Sequence, residues 1–204
     1  MVQLARALLV ATLLALFVRT YLLQLYRVPS DSMLPGLLPG DHVMVDRFVY
    51  GAPATALLPA RAPRRFDVVV FAGPGGYLIK RLLGLPGERI EVRQHRLWAD
   101  GAPIDAEASW LLLPSLAAPA APEVPADFGP LKLGEGQYLV LGDQRGVSLD
   151  SRVFGPIDRR EIVGRAFLIY WSVPLEGPSF GKIGEPARSR WLAARWNRCF
   201  RPLQ

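Results

Sequence analysis

The 204-residue chain has one cysteine, Cys199, so no disulfide can form within it. Its only histidines, His42 and His95, are isolated, and no cluster has the spacing of a zinc site. Its longest greasy segment, at the N-terminus, is not uninterrupted. The apolar run Ala7 to Val18 stops short of the roughly 20 residues that cross a bilayer. The final stretch, Pro186 to Gln204, has no acid but carries Arg188, Arg190, Arg195, Arg198 and Arg201. The remainder holds nineteen basic against eighteen acidic residues, so the net charge of +6 is largely a property of the tail. That charge does not indicate a basic groove across the fold, which argues against a nucleic-acid partner. No internal repeat is evident. Glycine and proline are plentiful instead, at 19 each, and half the residues are hydrophobic. That composition favours short strands and turns over long helices, in one domain of moderate size.

Leu4 to Tyr26 reads "LARALLVATLLALFVRTYLLQLY". It fits the core of a cleaved signal peptide, a buried amphipathic helix, or a transmembrane helix. Apolar character resumes after Arg19, and no small-x-small cleavage site follows. The expectation is therefore a single-pass helix from about Leu4 to Tyr26, with Arg19 snorkelling and Tyr21 and Tyr26 in an interfacial belt. Charge does not orient it, because Arg6 precedes the segment and Arg19 and Arg27 follow its core.

Beyond it the pattern is mostly β. "DHVMVDRFVYG" alternates, "FDVVVFAGP" is a short buried run, and "GYLIKRLLGLPGERIEVRQHRLWADGAPI" holds two or three strands. Asp100-Gly101 between "RLW" and "API" signals a hairpin. "SWLLLPSLAAPAAPEVPADFGP" reads as a surface loop, having too many prolines for a central strand. "GQYLVLGDQRGVSLDSRVFGPI" begins as a strand and becomes a polar loop; "EIVGRAFLIYWSV" is the last strand. The expected fold is a coiled or barrel-like antiparallel β domain over residues 28–185, with a Pro-rich hairpin insertion at about 93–136. An anchor (1–27) precedes it. A basic, aromatic tail (186–204) follows, read either as an interfacial membrane segment or as disordered.

Two segments could carry chemistry. "PSDSMLPGLLPGD", Pro29 to Asp41, places Ser30 and Ser32 in what is either a turn or a nucleophile loop. A serine nucleophile needs a base. Lys80, in the apolar "GYLIKRLLGLPGE", either marks an exposed strand position or is a buried amine whose pKa has fallen far enough to accept a proton. His42 matches no such arrangement.

Four segments together resemble the bacterial type I signal peptidases. "PSDSMLPGLLPGD" resembles their nucleophile box, and "DHVMVDRFVYG" the strand after it. "YLIKRLLGLPGE" resembles their lysine box, and "LGDQRGVSLDSRVFGPI" their last box. The order is also the family's, over roughly Arg19 to Val173. The resemblance implies Ser32 as nucleophile and Lys80 as general base, with the Ser30 hydroxyl and the Ser32 amide as oxyanion donors. It implies that Ser148 orients the lysine amine, that Asp150 and Arg152 form a salt bridge, and that Asp143 and Arg145 support the same loop. Val28, Pro29, Met33, Leu37, Leu78 and Ile79 would line pockets for an extended A-x-A substrate. Three positions depart from the family pattern: Gly36 for threonine, Gln144 for asparagine and Glu88 for aspartate. They bear on specificity more than on reaction type.

The implied protein is a monomeric serine endopeptidase of the cytoplasmic membrane, with its catalytic domain on the extracytoplasmic face and no cofactor. Its partners would be signal peptides of preproteins and membrane lipid. A narrow-specificity Ser-Lys processing protease and an inactive signal-peptide-binding relative are the alternatives. The self-cleaving repressors resemble the same core but are soluble and carry a DNA-binding domain for which this chain has no room.

Overall fold

The structure is a computed structural model that describes residues 2–17, 23–51, 60–104, 124–175 and 194–203. It opens with helix α1 (Val2–Phe17), whose Leu4, Leu8, Leu9, Val10, Leu13 and Leu16 are all exposed. Among the described residues no helix is long and apolar enough to cross a membrane. The expected span from Leu4 to Tyr26 is corrected at its end. Its last residues are strand β1 (Leu23–Arg27), paired antiparallel with β2 (Asp41–Asp46), Tyr26 opposite Val43. The apolar letters of "LQLYR" alternate in environment, with Tyr26 against the core and Leu25 exposed, and the free edge of β2 satisfies the backbone. Arg19 and Tyr21 lie outside the described residues.

The larger sheet has the order β1-β2-β11-β3-β4-β9-β10, with β12 beside β11. Its further strands are β3 (Val68–Gly73), β4 (Gly76–Gly84), β9 (Gln137–Leu141), β10 (Ile157–Asp158), β11 (Ile162–Ser172) and β12 (Arg201–Pro202). All its pairings are antiparallel. β3 explains its run of four apolar residues by lying between two cores. Val68 and Val70 face one, with Val28, Met33, Leu37, Val43, Val45 and Ile79; Val69 and Phe71 face the other, with Leu82 and Val140. Register shifts along the eleven-residue β11 against both neighbours coil the sheet.

A second sheet, β7 (Ala102–Pro103), β6 (Arg96–Ala99), β5 (Arg89–Arg93) and β8 (Phe128–Lys132) in that order, is inserted between β4 and β9. It closes its own core of Leu83, Ile90, Val92, Leu97, Leu133, Leu139 and Leu141. The sheet begins at Arg89, slightly earlier than the expected insertion. Asp100 and Gly101 turn between β6 and β7 with φ of 49° and 82°, as a two-residue hairpin requires. Gln94 and His95 do the same between β5 and β6 without a glycine, so that turn left no mark in the sequence. The supposed surface loop is corrected at its end: Phe128-Gly129-Pro130 belongs to β8. Proline is tolerated there because β8 is an edge strand. Residues 109–123 of that segment lie outside the described residues.

Of the expected tail, residues 194–203 are ordered. This segment packs back on the domain, pairs β12 with β11, and sets the Trp196 ring edge-on to Trp171 at 5.3 Å. Arg188, Arg190 and Trp191 lie outside the described residues.

Candidate active site

β1 leads into Val28-Pro29-Ser30 and a 3-10 turn at Asp31–Met33. Backbone bonds from Val28 N–H to Asp41 O (2.8 Å) and from Gly40 N–H to Val28 O (2.9 Å) close the neck of this loop. Within it Leu37 N–H donates to Met33 O at 2.8 Å, and the Met33 and Leu37 side chains are anchored in the core. The loop thus holds Ser32 nearly buried while leaving Ser30 exposed.

Lys80 comes from the middle of β4, opposite Val69, and is only 4% exposed. Its Nζ donates to Ser32 Oγ at 2.6 Å, and Ser30 Oγ lies 3.2 Å from Ser32 Oγ. Burial pulls the lysine down from 10.5 to about 8. The charges of Asp150 and Asp143 oppose that fall, and Arg152 adds to it. A hydroxyl held against an amine that deprotonates near neutrality is a nucleophile–base pair capable of acyl transfer.

The third part is the loop after β9, which carries the residues of the last box. Gly142 is required there by space. A Cβ would overlap Ser148 Oγ on one side and the Ser32 carbonyl on the other. Gln144 N–H donates to Ser32 O at 3.1 Å, so position 144 meets the nucleophile loop through its backbone. Asp150 and Arg152 form the expected salt bridge, at 2.9 Å with both side chains fully buried. Asp150 also accepts from Gly142 N–H and caps α2 (Ser151–Phe154). Arg152 reaches the carbonyls of Arg145 and Pro125 and the His95 ring. Arg145 donates to Gly142 O and His95 O. These bonds tie the loop to the β5–β6 turn of the second sheet. Desolvation, helped by Arg152 and Arg145, lowers the His95 pKa and favours its neutral ring.

Ser148 departs from expectation. It is fully buried, but its Oγ makes no hydrogen bond, so the bond to the lysine amine is not formed. The lysine's short bond goes to Ser32, and Ser148 Oγ is packed against Gly142 instead. The substrate-lining residues divide. Val28, Met33 and Leu37 are at most 2% exposed and Ile79 is buried, so these four serve the core in this structure. Pro29 is exposed and Leu78 partly so. Val28, Met33 and Leu37 belong to the loop between β1 and β2 and pack into the same core as Val68 and Val70. His42 lies on β2 with its ring edge-on to Tyr170.

Two contributors went unread in the sequence. Arg81 pairs with Asp143 through two bonds of 2.8 and 2.9 Å, both side chains buried. An arginine inside an apolar run is itself a signal that an acid must meet it. His95 sits at a turn without glycine, and nothing local marked it.

Known proteins resemble this chain over most of its length. A family described as "Signal peptidase, peptidase S26" matches residues 1–171. The chain is 34% identical to the probable signal peptidase I-2 of Synechocystis, over 86% of this chain and 75% of that one. It is 32% identical to signal peptidase I of Leptolyngbya laminosa, over 86% and 80%. It is 36% identical to signal peptidase I V of Bacillus subtilis, over 76% and 90%. A serine hydroxyl against a buried lysine, in a match that covers most of the chain, makes this protein a member of the signal peptidase family, peptidase S26.

Proposed function

We propose that the protein removes signal peptides from exported preproteins, with Ser32 as nucleophile and Lys80 as general base. The observation that carries this reading is the 2.6 Å bond from the buried Lys80 amine to Ser32 Oγ. Neutral Lys80 takes the proton as Ser32 Oγ attacks the scissile carbonyl. The oxyanion accepts hydrogen bonds from the Ser30 hydroxyl and the Ser32 amide. Protonated Lys80 then gives its proton to the leaving amine, and the free amine activates the deacylating water.

The substrate binds as an added strand. β9 pairs with β4 only from Arg81 onward, and β1 is an edge strand, so Gly76–Lys80 and the end of β1 offer backbone partners to an extended peptide. Small residues before the scissile bond suit walls formed by Pro29, Leu78 and the covered apolar side chains behind them. Ser148, Asp143, Arg145, Asp150 and Arg152 hold the shape of the site. The exposed apolar surface of α1 supports association with membrane lipid, which confines enzyme and preprotein to one surface at the extracytoplasmic face.

The test is cleavage of a purified preprotein bearing an A-x-A site by the detergent-solubilised full chain and by Ser32→Ala and Lys80→Ala. Cutting after that site by the wild type, with both folded variants inert, is the expected result. No cutting across several preproteins points to a narrow-specificity relative. Full activity of Lys80→Ala refutes the assigned base.

A further inference from the structure

Arg198 is a buried guanidinium that the hydrolytic steps do not use. It stands on the C-terminal segment, far from Ser32 in sequence, yet its side-chain bonds run to the nucleophile loop. Its Nη2 and Nε donate to the Asp41 carboxylate at 2.6 and 3.2 Å, and Nη2 also donates to the Gly36 carbonyl at 3.0 Å. Asp41 is fully buried, and also accepts from Leu38 N–H (2.8 Å) and Ser172 Oγ (2.5 Å). Arg195 adds a bond to Pro39 O at 3.0 Å and is itself held by Ser172 O. Residues 36–41 are thus gripped from the side of the C-terminal segment.

The opposite side of the loop is equally close. A Cβ on Gly36 would lie 2.5 Å from Asp143 Oδ2 and 3.4 Å from Arg81 Nη2. Gly36, the position where the family pattern has threonine, therefore rests directly on the buried Arg81–Asp143 pair. The loop is clamped between Arg198, which pairs with the loop's own Asp41, and the Arg81–Asp143 pair on the other side. The clamp reaches the nucleophile through the Leu37 N–H to Met33 O bond, and Gln144 N–H holds Ser32 O from the other loop.

We propose that Arg198 is a positioning residue for Ser32, setting the nucleophile loop through the Gly36 carbonyl and the Asp41 carboxylate. The proposal rests on Ser32 being the nucleophile. Without the guanidinium the loop loses one jaw of its clamp, and Ser32 drifts from Lys80. Displacements on the order of 1 Å in a reacting group cost about 10²-fold in rate. Water then reaches the lysine amine, whose low pKa comes chiefly from burial, while Asp150, Asp143 and Arg152 keep their places around it.

The test uses the detergent-solubilised full chain and a quenched fluorescent peptide with an A-x-A site. Wild type, Ser32→Ala, Arg198→Met, Arg198→Lys and the double variant Asp41→Asn/Arg198→Met are compared for kcat, KM, pH profile and melting temperature. The double variant leaves no orphaned buried carboxylate, so it keeps the question open to measurement if Arg198→Met alone fails to fold. Arg198→Met and the double variant are expected to lose kcat by about 10²-fold with KM within about threefold. The acid limb of kcat/KM should move to higher pH. Arg198→Lys, which can pair with Asp41 but cannot also bridge to Gly36, should recover melting temperature more fully than kcat. Wild-type kcat and an unmoved acid limb in any folded variant lacking the guanidinium overturn the proposal. Cleavage by Ser32→Ala at the wild-type rate overturns the reading of the site, and the positioning role with it.

Discussion

Replacing Lys80 with methionine should stabilise this protein while abolishing its activity. The lysine is 4% exposed, and burial has brought its pKa from 10.5 to about 8. A shift of that size corresponds to about 3 kcal/mol between the charged and neutral forms. The folded pKa lies below the unfolded value, so between pH 8 and 10.5 the unfolded chain binds more protons and stability rises with pH. Below pH 8 the full cost of burying the ammonium is present. Methionine is of similar length and carries no charge, so it escapes that cost. It gives up the bond to Ser32 Oγ, worth about 1 kcal/mol. The net expectation is a gain of about 2 kcal/mol at pH 7, shrinking toward zero by about pH 9.5 as the wild type itself becomes neutral. Urea denaturation of both proteins at the two pH values, followed by intrinsic tryptophan fluorescence, measures it. A variant that is less stable than wild type at pH 7, or an advantage that does not fall with pH, refutes the reasoning. So does residual cleavage near the wild-type rate.

Four other outcomes follow from the structure. The kcat/KM of the wild type should fall about tenfold per pH unit below pH 8 and level off above it, since only the neutral amine acts as a base. A profile still climbing at pH 10 would mean an unperturbed lysine. Gly142→Ala forces a methyl group between Ser148 Oγ and the Ser32 carbonyl, so it should cut kcat by about 10²-fold or more even where circular dichroism shows an intact fold. Ser30→Ala removes a hydroxyl 3.2 Å from Ser32 Oγ and should lower kcat by about 10²-fold with little change in KM; an equal loss carried by KM would reassign Ser30 to substrate binding. Gly101→Ala, at a turn with φ of 82° remote from Ser32, should destabilise by about 1 kcal/mol and leave cleavage rates alone.

Much of the chemistry was legible because it is written in short, local strings. Ser32 and Ser30 sit two apart in a loop, Lys80 stands in an apolar strand, and Asp150 and Arg152 pair across a single residue. The Asp100-Gly101 turn was equally readable, because positive φ at two successive residues strongly favours such a dipeptide. The end of the N-terminal span was misread for the opposite reason. Leu23 to Tyr26 is apolar enough for a membrane helix, and only the unpaired edge of β2 makes it a strand. The place of Arg198 was not legible because a buried arginine cannot be told from an exposed one until its acid is found, and Asp41 lies more than 150 residues away.

The sequence by itself determined the β-rich class, because short-range periodicity is a local property, while the reaction type and the pairing of Ser32 with Lys80 came from the resemblance of its ordered boxes to a known family. Only the tertiary structure decided that Met33 and Leu37 belong to the core, that Ser148 does not reach the lysine, that Arg81 answers Asp143, and that the C-terminal segment grips the nucleophile loop. Those facts depend on which face of a strand is covered and on which distant charge satisfies a buried one. Such pairings exist only after the chain has closed on itself.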